Sequence, residues 1–499
     1  VERELDWLEG RARLYPNKEA IVDANTKDRW TYKHLNERAK VLASFFLTKG
    51  INKGDRIALL SPNHISCLDF MFAAIKIGAI FVPLNWRLSK EELEYILQDA
   101  KPKLIGIHER FQDKSEWMDK QFFTFPITDN EYIGSLERVK TELQADLDET
   151  TPLAMIYTGG TTGKPKGAIL SHRSILWNGM NTILSWNITE EDVTLTTLPM
   201  FHTGGLNALV IPVLLAGGKI VITADFEPEE VVNDLIEHHC TIVLFVPTMH
   251  HMITQTEAFQ HAEFPKMKVF LSGGAPCPLT IYDAYERKGL HFKEGYGLTE
   301  AGPNNFYIHP DDAKVKRGSI GKQMLFNEIK IVDELGKEVG PNEVGELLLR
   351  GNHTFEFYWN KEDETKEALV NGWLHTGDLA KRDEDGFVYI VGRKKEMIIT
   401  GGENVYPLEI EHWLASHPDI NEASVIGLPH EKWGEVVTAF VSLHPNRELN
   451  EQELNVFCRK KLAAYKIPKK FFIIEELPKT HVGKINKKAL YEQYCRSFA

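Results

Sequence analysis

Tyr157–Gly167 reads Y-T-G-G-T-T-G-K-P-K-G, and the rest of the chain is best read outward from it. Gly159, Gly160, Gly163 and Gly167 let the backbone approach a ligand closely and take positive φ. Thr158, Thr161 and Thr162 bring hydroxyls, and Lys164 and Lys166 bring positive charge. Backbone N–H groups, hydroxyls and ammonium groups are together what a polyphosphate binds. The spacing is not that of a Walker-type loop, which needs GxxxxGK followed by Ser or Thr. Here Gly163-Lys164 is followed by Pro165, and the position five before Gly163 is Thr158. Pro165 and the run A-I-L-S-H predict a second strand, so the loop is expected at the tip of a hairpin. Taken alone, it is equally a flexible glycine turn.

On either side, helical and strand patterns alternate, the mark of an α/β architecture. Leu35, Ala39, Leu42 and Phe46 recur at helical spacing, with Thr31 as N-cap and Gly50 as stop. Ser89 and Glu92 form a capping box for the next helix. Short apolar runs bounded by Gly or Pro predict buried strands at 219–223, 242–246, 269–271 and 347–349. The texture changes near residue 390, where V-Y-I-V-G-R-K-K-E-M-I-I-T-G-G-E-N-V-Y-P sets a charged knot between two strands. The boundary is expected within Arg393–Glu396, a polar knot being a common place for a linker. A large N-terminal α/β region of packed sheets and helices would span 1–394, and a small α+β domain 396–499.

The bulk properties bound the function. A chain of 499 residues exceeds a single core. With 43% hydrophobic and 26% charged residues it is an ordinary globular protein. A formal net charge of -13 argues against nucleic acid as a partner. Arg459–Lys488 is a local exception, rich in Lys and Arg, and reads either as a solvated face or as a contact for an anionic ligand. Five cysteines with no CxxC pair suit a reducing compartment and exclude an ordinary zinc cluster. The charged N-terminus is not a signal peptide, and no apolar run approaches the ~20 residues of a membrane span. A cytoplasmic enzyme is expected. Peripheral membrane contact and a homodimer are both compatible with the sequence.

Five further segments carry chemistry. In Leu198–Gly205, L-P-M-F-H-T-G-G, His202 follows an expected strand. Leu271–Pro276, L-S-G-G-A-P, closes another strand with Gly273, Gly274 and Ala275. Glu294–Glu300, E-G-Y-G-L-T-E, sets Tyr296 to stack on an adenine ring, beside Gly297. Thr299 offers a hydroxyl near a phosphate, and Glu300 offers a hard oxygen ligand for Mg²⁺. Trp373–Ala380, W-L-H-T-G-D-L-A, carries Asp378 after an expected glycine turn, and a buried Asp needs a donor. Pro478–Ile485, P-K-T-H-V-G-K-I, places Lys484 after a glycine. A lone lysine is usually only solvated, and a lone histidine usually only packed.

In this order these strings resemble the adenylate-forming superfamily of acyl-CoA synthetases, adenylation domains and firefly luciferase. The resemblance runs from the N-terminal R-A-R-L-Y-P-N-K-E-A-I-V-D to Lys488. It implies ATP, coenzyme A and a small carboxylic acid as substrates, with Mg²⁺ as cofactor. The acid is first converted to acyl-AMP, and the acyl group then passes to the thiol. The glycine-rich loop would hold the phosphates. Gly159 stands where the family usually has Ser, a variant similar to the fatty acyl branch. His202 would gate the acid pocket, and Gly273, Gly274 and Ala275 would wall the adenine and acyl groups. Asp378 would hold the ribose, Arg393 would approach the ribose and phosphates, and Lys484 would bridge carboxylate and α-phosphate. The small domain would be mobile about a hinge at Lys395, and Gly401 and Gly402 would border the thiol channel. P-L-N-W-R-L, Pro83–Leu88, also resembles the fatty acyl branch, so a medium- or long-chain fatty acid is expected, with an aryl or succinylbenzoate-type acid as alternative. An enzyme loading a carrier protein, a luciferase-like oxygenase and a non-catalytic nucleotide binder are the rivals. Glu300, Asp378 and Lys484 together weigh against the last.

Overall fold

The computed structural model describes residues 5–136, 147–159, 164–430, 432–480 and 484–495. Helices and mixed sheets alternate, as the sequence predicts. A seven-stranded sheet has the order Phe357–Tyr358, Lys166–Ser171, Pro152–Thr158, Ile80–Pro83, Arg56–Leu60, Leu104–His108, Thr124–Ile127. A four-stranded sheet comprises Arg29–Thr31, Glu19–Asp23, Lys219–Ile222 and Val193–Thr196. Beside it run three parallel strands, Ile242–Phe245, Val269–Ser272 and Phe292–Glu294.

The largest core gathers residues of the seven- and four-stranded sheets around the helices Tyr32–Thr48 and Ile65–Ile77. All 13 residues of Ile65–Ile77 are buried, the mostly apolar sequence lying in the core and the charged Asp69 being paired with Arg38. Its one charged basic residue, Lys76, is neutralised by Asp6 and donates to Asn36 Oδ1 at 2.7 Å. The apolar stretch Ala73–Leu84 is the end of this helix and the next strand, and no described helix is long and apolar enough to cross a membrane. The local signals hold. Thr31 caps Tyr32–Thr48, and Gly50 takes φ +72° just beyond it. The Ser89–Glu92 capping box is complete, a feature that contributes about 1 kcal/mol.

An antiparallel five-stranded sheet follows, containing Glu328–Val332, Gly345–Arg350, Leu369–Val370, Trp373–Arg382 and Val388–Arg393. The last five-stranded sheet holds Ile398–Thr400, Glu403–Val405, Ile420–His430, Gly434–Leu443 and Lys470–Ile473, over its own core of Ile410, Leu414, Val437 and Leu454. Among the described strands no pairing joins these two sheets. The short helix Lys394–Glu396 lies between them. Lys394 Nζ reaches back to Glu346 at 2.8 Å, whereas Glu396 reaches forward to Lys487 at 2.7 Å. Lys395, exposed between the two, is where the chain's ties change sides.

Candidate active site

The glycine-rich segment joins Pro152–Thr158 to Lys166–Ser171, antiparallel with Thr158 opposite Lys166, so it is a hairpin as expected. Gly160, Thr161, Thr162 and Gly163 lie outside the described residues; Thr158, Gly159, Lys164 and Lys166 flank them. Gly167 is needed for packing, since a Cβ there would come within 2.9 Å of Met155. Lys164 Nζ lies 5.5 Å from the Tyr95 ring centre, and Lys166 Nζ 5.1 Å from that of Tyr358.

Two more segments leave the C-terminal ends of neighbouring parallel strands, where open α/β sheets present ligand-binding loops. Gly273, Gly274 and Ala275 follow Val269–Ser272, and Gly295–Leu298 follows Phe292–Glu294. Gly274 has φ +81°. At Gly297 a Cβ would lie 2.2 Å from Pro303 carbonyl atoms, so only glycine allows this chain crossing. Thr299–Ala301 forms one 3₁₀ turn with Thr299 and Glu300 buried. Tyr358 Oη donates to Glu300 Oε1 at 2.6 Å.

Asp378 is not after a glycine turn. It lies inside the ten-residue strand Trp373–Arg382. The register against Gly345–Arg350 slips between Glu346 and Leu348, and Gly377 takes φ +69° there. This is a bulge, which re-aims a side chain without ending the strand. Thr376 Oγ1 donates to Leu347 O at 2.6 Å and accepts from Asp378 N at 3.0 Å, fixing the bulge. Asp378 has two donors, as a buried Asp requires. Tyr296 Oη donates to Oδ2 at 2.5 Å, and Arg393 Nε to Oδ1 at 2.7 Å. Burial pushes the Asp378 carboxyl above its ordinary value; Arg393, the Tyr296 hydroxyl and Lys484 oppose this.

His202 caps Thr203–Asn207, accepting from Gly204 N at 3.4 Å. Its ring keeps solvent contact, yet the crowding protein and then the Lys484 cation push its pKa down to about 4, so it is neutral at pH 7. Lys484 also keeps solvent contact in a crowded cleft. Desolvation first, and Arg393 second, lower its pKa, while Asp378 and Glu396 pull it upward. Lys484 therefore shares one electrostatic neighbourhood with His202, Asp378 and Arg393.

Gly401 and Gly402 connect Ile398–Thr400 and Glu403–Val405, with Thr400 opposite Glu403. Their φ values, +60° and +88°, match the two central residues of a type I′ hairpin. A Cβ on Gly402 meets nothing within 4 Å among the described residues, so the positive φ is the visible reason for glycine there. Gly402→Ala and Gly402→Leu are accordingly expected to destabilise the protein about equally, by roughly 1–2 kcal/mol each. Urea unfolding checks this; a neutral Ala beside a Leu variant that blocks only thiol transfer would restore the channel reading.

Within the basic run, three lysines are held in separate ion pairs. Lys466 meets Glu409 at 2.6 Å, Lys479 meets Glu422 at 3.0 Å, and Lys487 meets Glu396 and Glu411 at 2.7 and 2.9 Å. Sequence reasoning missed Tyr358. Its one signal is the run of three aromatics, Phe357-Tyr358-Trp359.

A family model described as AMP-binding enzyme matches residues 8–359, and one described as AMP-binding enzyme C-terminal domain matches 409–484. A feruloyl-CoA synthase of Amycolatopsis sp is 34% identical over 482 residues, 96% of this chain and 97% of its own length. An indoleacetate–CoA ligase of Aromatoleum aromaticum is 34% identical, covering 97% and 96%. A long-chain-fatty-acid–CoA ligase of Mycobacterium tuberculosis is 33% identical, covering 99% of each. Among solved structures, ATP-bound MatB from Rhodopseudomonas palustris has TM-score 0.89 at 29% identity, covering 100% of both chains. The apo form of MatB, also at 29% identity and covering 100% of both chains, has TM-score 0.76. O-succinylbenzoate coenzyme A synthetase from Bacillus subtilis, in complex with ATP and magnesium ion, has TM-score 0.88 at 31% identity, covering 98% of both.

Proposed function

We propose how this chain, which belongs to the AMP-binding enzyme family and is an AMP-forming acid–thiol ligase, divides its work between two half-reactions. In the first, the acid carboxylate attacks the α-phosphorus of ATP and pyrophosphate leaves. In the second, the thiol of coenzyme A attacks the acyl-adenylate carbonyl and AMP leaves. A carboxylate alone is a poor acyl donor because its leaving group would be oxide. The protein's part is positioning and electrostatics, and no protein nucleophile is required.

What supports this reading is that Lys484 lies close enough for its charge to act on Asp378 and His202 and for the Arg393 charge to act on it. Lys484 neutralises the charge shared by the attacking carboxylate and the α-phosphate. Asp378 accepts from the ribose hydroxyls, steadied by Tyr296 and Arg393. Neutral His202 closes the acid pocket without adding charge. Gly273, Gly274, Ala275, Tyr296 and Gly297 flank the adenine, and Thr299 the α-phosphate. The hairpin from Thr158 to Lys166 holds the outer phosphates. Glu300 fits Mg²⁺, since it is a buried carboxylate whose Oε1 alone is claimed by a side chain among the described residues. When bound, the ion neutralises triphosphate charge. The higher TM-score with ATP-bound than with apo MatB supports an arrangement suited to adenylation. A large domain over 1–394 and a small one over 396–499, turning at Lys395, would then exchange Lys484 for the thiol. Pyrophosphate release with ATP and acid, measured with and without coenzyme A, tests the division; release that strictly requires the thiol would overturn it.

For the acid we favour a medium- or long-chain fatty acid. Pro83–Leu88 and Gly159 support this, as does the likeness to the mycobacterial ligase. Activity should rise between about six and sixteen carbons, with each buried methylene contributing roughly 0.8 kcal/mol, about fourfold, until the pocket fills. A panel of acids measures it, and a flat response beside high activity on an aromatic acid would refute it. A specific observation favours a second reading, a ring acid with polar substituents. Asn178 Oδ1, Asn207 Oδ1 and His353 Nε2 line one small cavity beside Gly302 and Pro303, buried and without hydrogen-bond partners among the described residues. A hydroxyl would donate to one of the amide oxygens and accept from His353 Nε2–H; the same panel decides.

A further inference from the structure

We propose that Tyr358 is a positioning residue for Glu300, holding its carboxylate in the one orientation that offers the second oxygen to a divalent cation. The proposal rests on the reading of Glu300 as the Mg²⁺ ligand.

Residues 355–359 form a strap between the phosphate hairpin and Glu300. At one end, Phe355 N–H donates to Glu300 O at 2.7 Å, and Tyr358 Oη donates to Glu300 Oε1 at 2.6 Å. The strap thus grips both the main chain and the side chain of Glu300. Along its length, Phe357–Tyr358 pairs with the hairpin strand Lys166–Ser171, Phe357 opposite Ile169 and Tyr358 opposite Ala168. Glu356 N–H donates to Ile169 O at 2.9 Å, and Trp359 N–H to Gly167 O at 2.7 Å. The Glu356 carboxylate accepts from Ser171 Oγ at 2.6 Å and from Arg173 at 2.9 Å. The Tyr358 ring packs on Phe355 at 4.7 Å and lies beneath Lys166 Nζ. A strap so anchored fixes the hydroxyl relative to the hairpin that follows the phosphates.

The chemistry suits this role. An ionised carboxylate only accepts, and it has about four lone-pair directions. One donor on Oε1 sets the carboxylate torsion and, among the described residues, leaves Oε2 for a cation. A phenol hydroxyl is protonated at neutral pH, so Tyr358 supplies the donor. Partners of metal-ligating side chains commonly change metal affinity about 10–100-fold when removed.

The test measures Mn²⁺ binding by electron paramagnetic resonance, on full-length protein carrying a non-hydrolysable ATP analogue. Three variants are compared. Tyr358→Phe keeps the ring contacts and removes only the hydroxyl. Glu300→Gln removes the ligand charge. Trp359→Phe removes the strap's bond from Trp359 Nε1 to Asp99 O, 3.2 Å, and leaves Glu300 untouched. Tyr358→Phe should weaken Mn²⁺ binding about 10–100-fold. Glu300→Gln should weaken it at least as much, and Trp359→Phe by less than about twofold. The Mg²⁺ dependence of pyrophosphate release should move in the same order. Normal binding by Tyr358→Phe beside loss in Glu300→Gln would overturn the role of Tyr358 and leave Glu300 as ligand. Normal binding by both would overturn the Glu300 reading itself. Equal loss in Trp359→Phe would assign the effect to folding of the strap and overturn the proposal.

Discussion

Lys484→Ala slows acyl-adenylate formation by about 10²–10⁴, the loss expected when one preorganised electrostatic group is removed. Thioester formation from supplied acyl-adenylate is nearly spared. The asymmetry follows from where charge gathers. Only in the first half-reaction do a carboxylate and a triphosphate, both anionic, approach one another. In the second the attacked carbonyl is already activated. The cleft also makes the lysine sensitive to alkali. Burial and the Arg393 cation lower its pKa from the ordinary 10.5, and the working form is the charged one. Adenylation should therefore fall as pH rises through a value below 10.5, before a solvated lysine would lose its proton. Lys484→Arg, which stays charged throughout, should remove that alkaline limb even if its rate is lower. Single-turnover assays of each half-reaction decide. Equal losses in both would sink the role given to Lys484.

Much of this was legible because the signals are local. Pro165 between glycine-rich and apolar runs is enough to place a hairpin, and Ser89 with Glu92 to start a helix. The charged knot 393–396 stands out because its charges pair apart, Lys394 with Glu346 and Glu396 with Lys487. What was misread depends on partners distant in sequence. Asp378 looks like a residue after a turn, since Gly377 can take positive φ; only the slipped register against Gly345–Arg350 shows a bulge. Tyr358 sits in a two-residue strand, too short to have a period, and its partner Glu300 is 58 positions away. The basic run looks continuous because Glu409, Glu411 and Glu422, which divide it, come from other elements. At Gly401-Gly402 the hairpin signal is local and the φ values agree with it, while the thiol channel implied by the resemblance is a separate proposal.

Asp378→Ala is expected to damage both half-reactions, which sets it apart from Lys484→Ala. Each carboxylate oxygen already accepts one protein donor, Tyr296 on Oδ2 and Arg393 on Oδ1. Further lone pairs remain for the two ribose hydroxyls. Hydrogen bonds to a charged group contribute about 1.5–3 kcal/mol each. Losing both should lower kcat/KM for ATP by about 10²–10⁴, and the affinity for supplied acyl-adenylate by a similar factor, because both carry the ribose. Asp378→Asn separates charge from shape. It keeps an acceptor and the bulge while removing the buried charge. The sign of the linkage is opposite to that of most carboxylates. Burial raises the folded-state pKa of Asp378 above its ordinary 3.8, so the ionised form is disfavoured by folding. Its stabilising contribution is complete below that ordinary value and is lost as pH rises through the raised one. At neutral pH the charge therefore costs stability, and Asp378→Asn should unfold at an equal or higher temperature while binding ATP far more weakly. Thermal unfolding beside ATP titration measures both. A variant that melts much earlier and still binds ATP normally would make Asp378 a structural ion-pair residue and remove it from the ribose site.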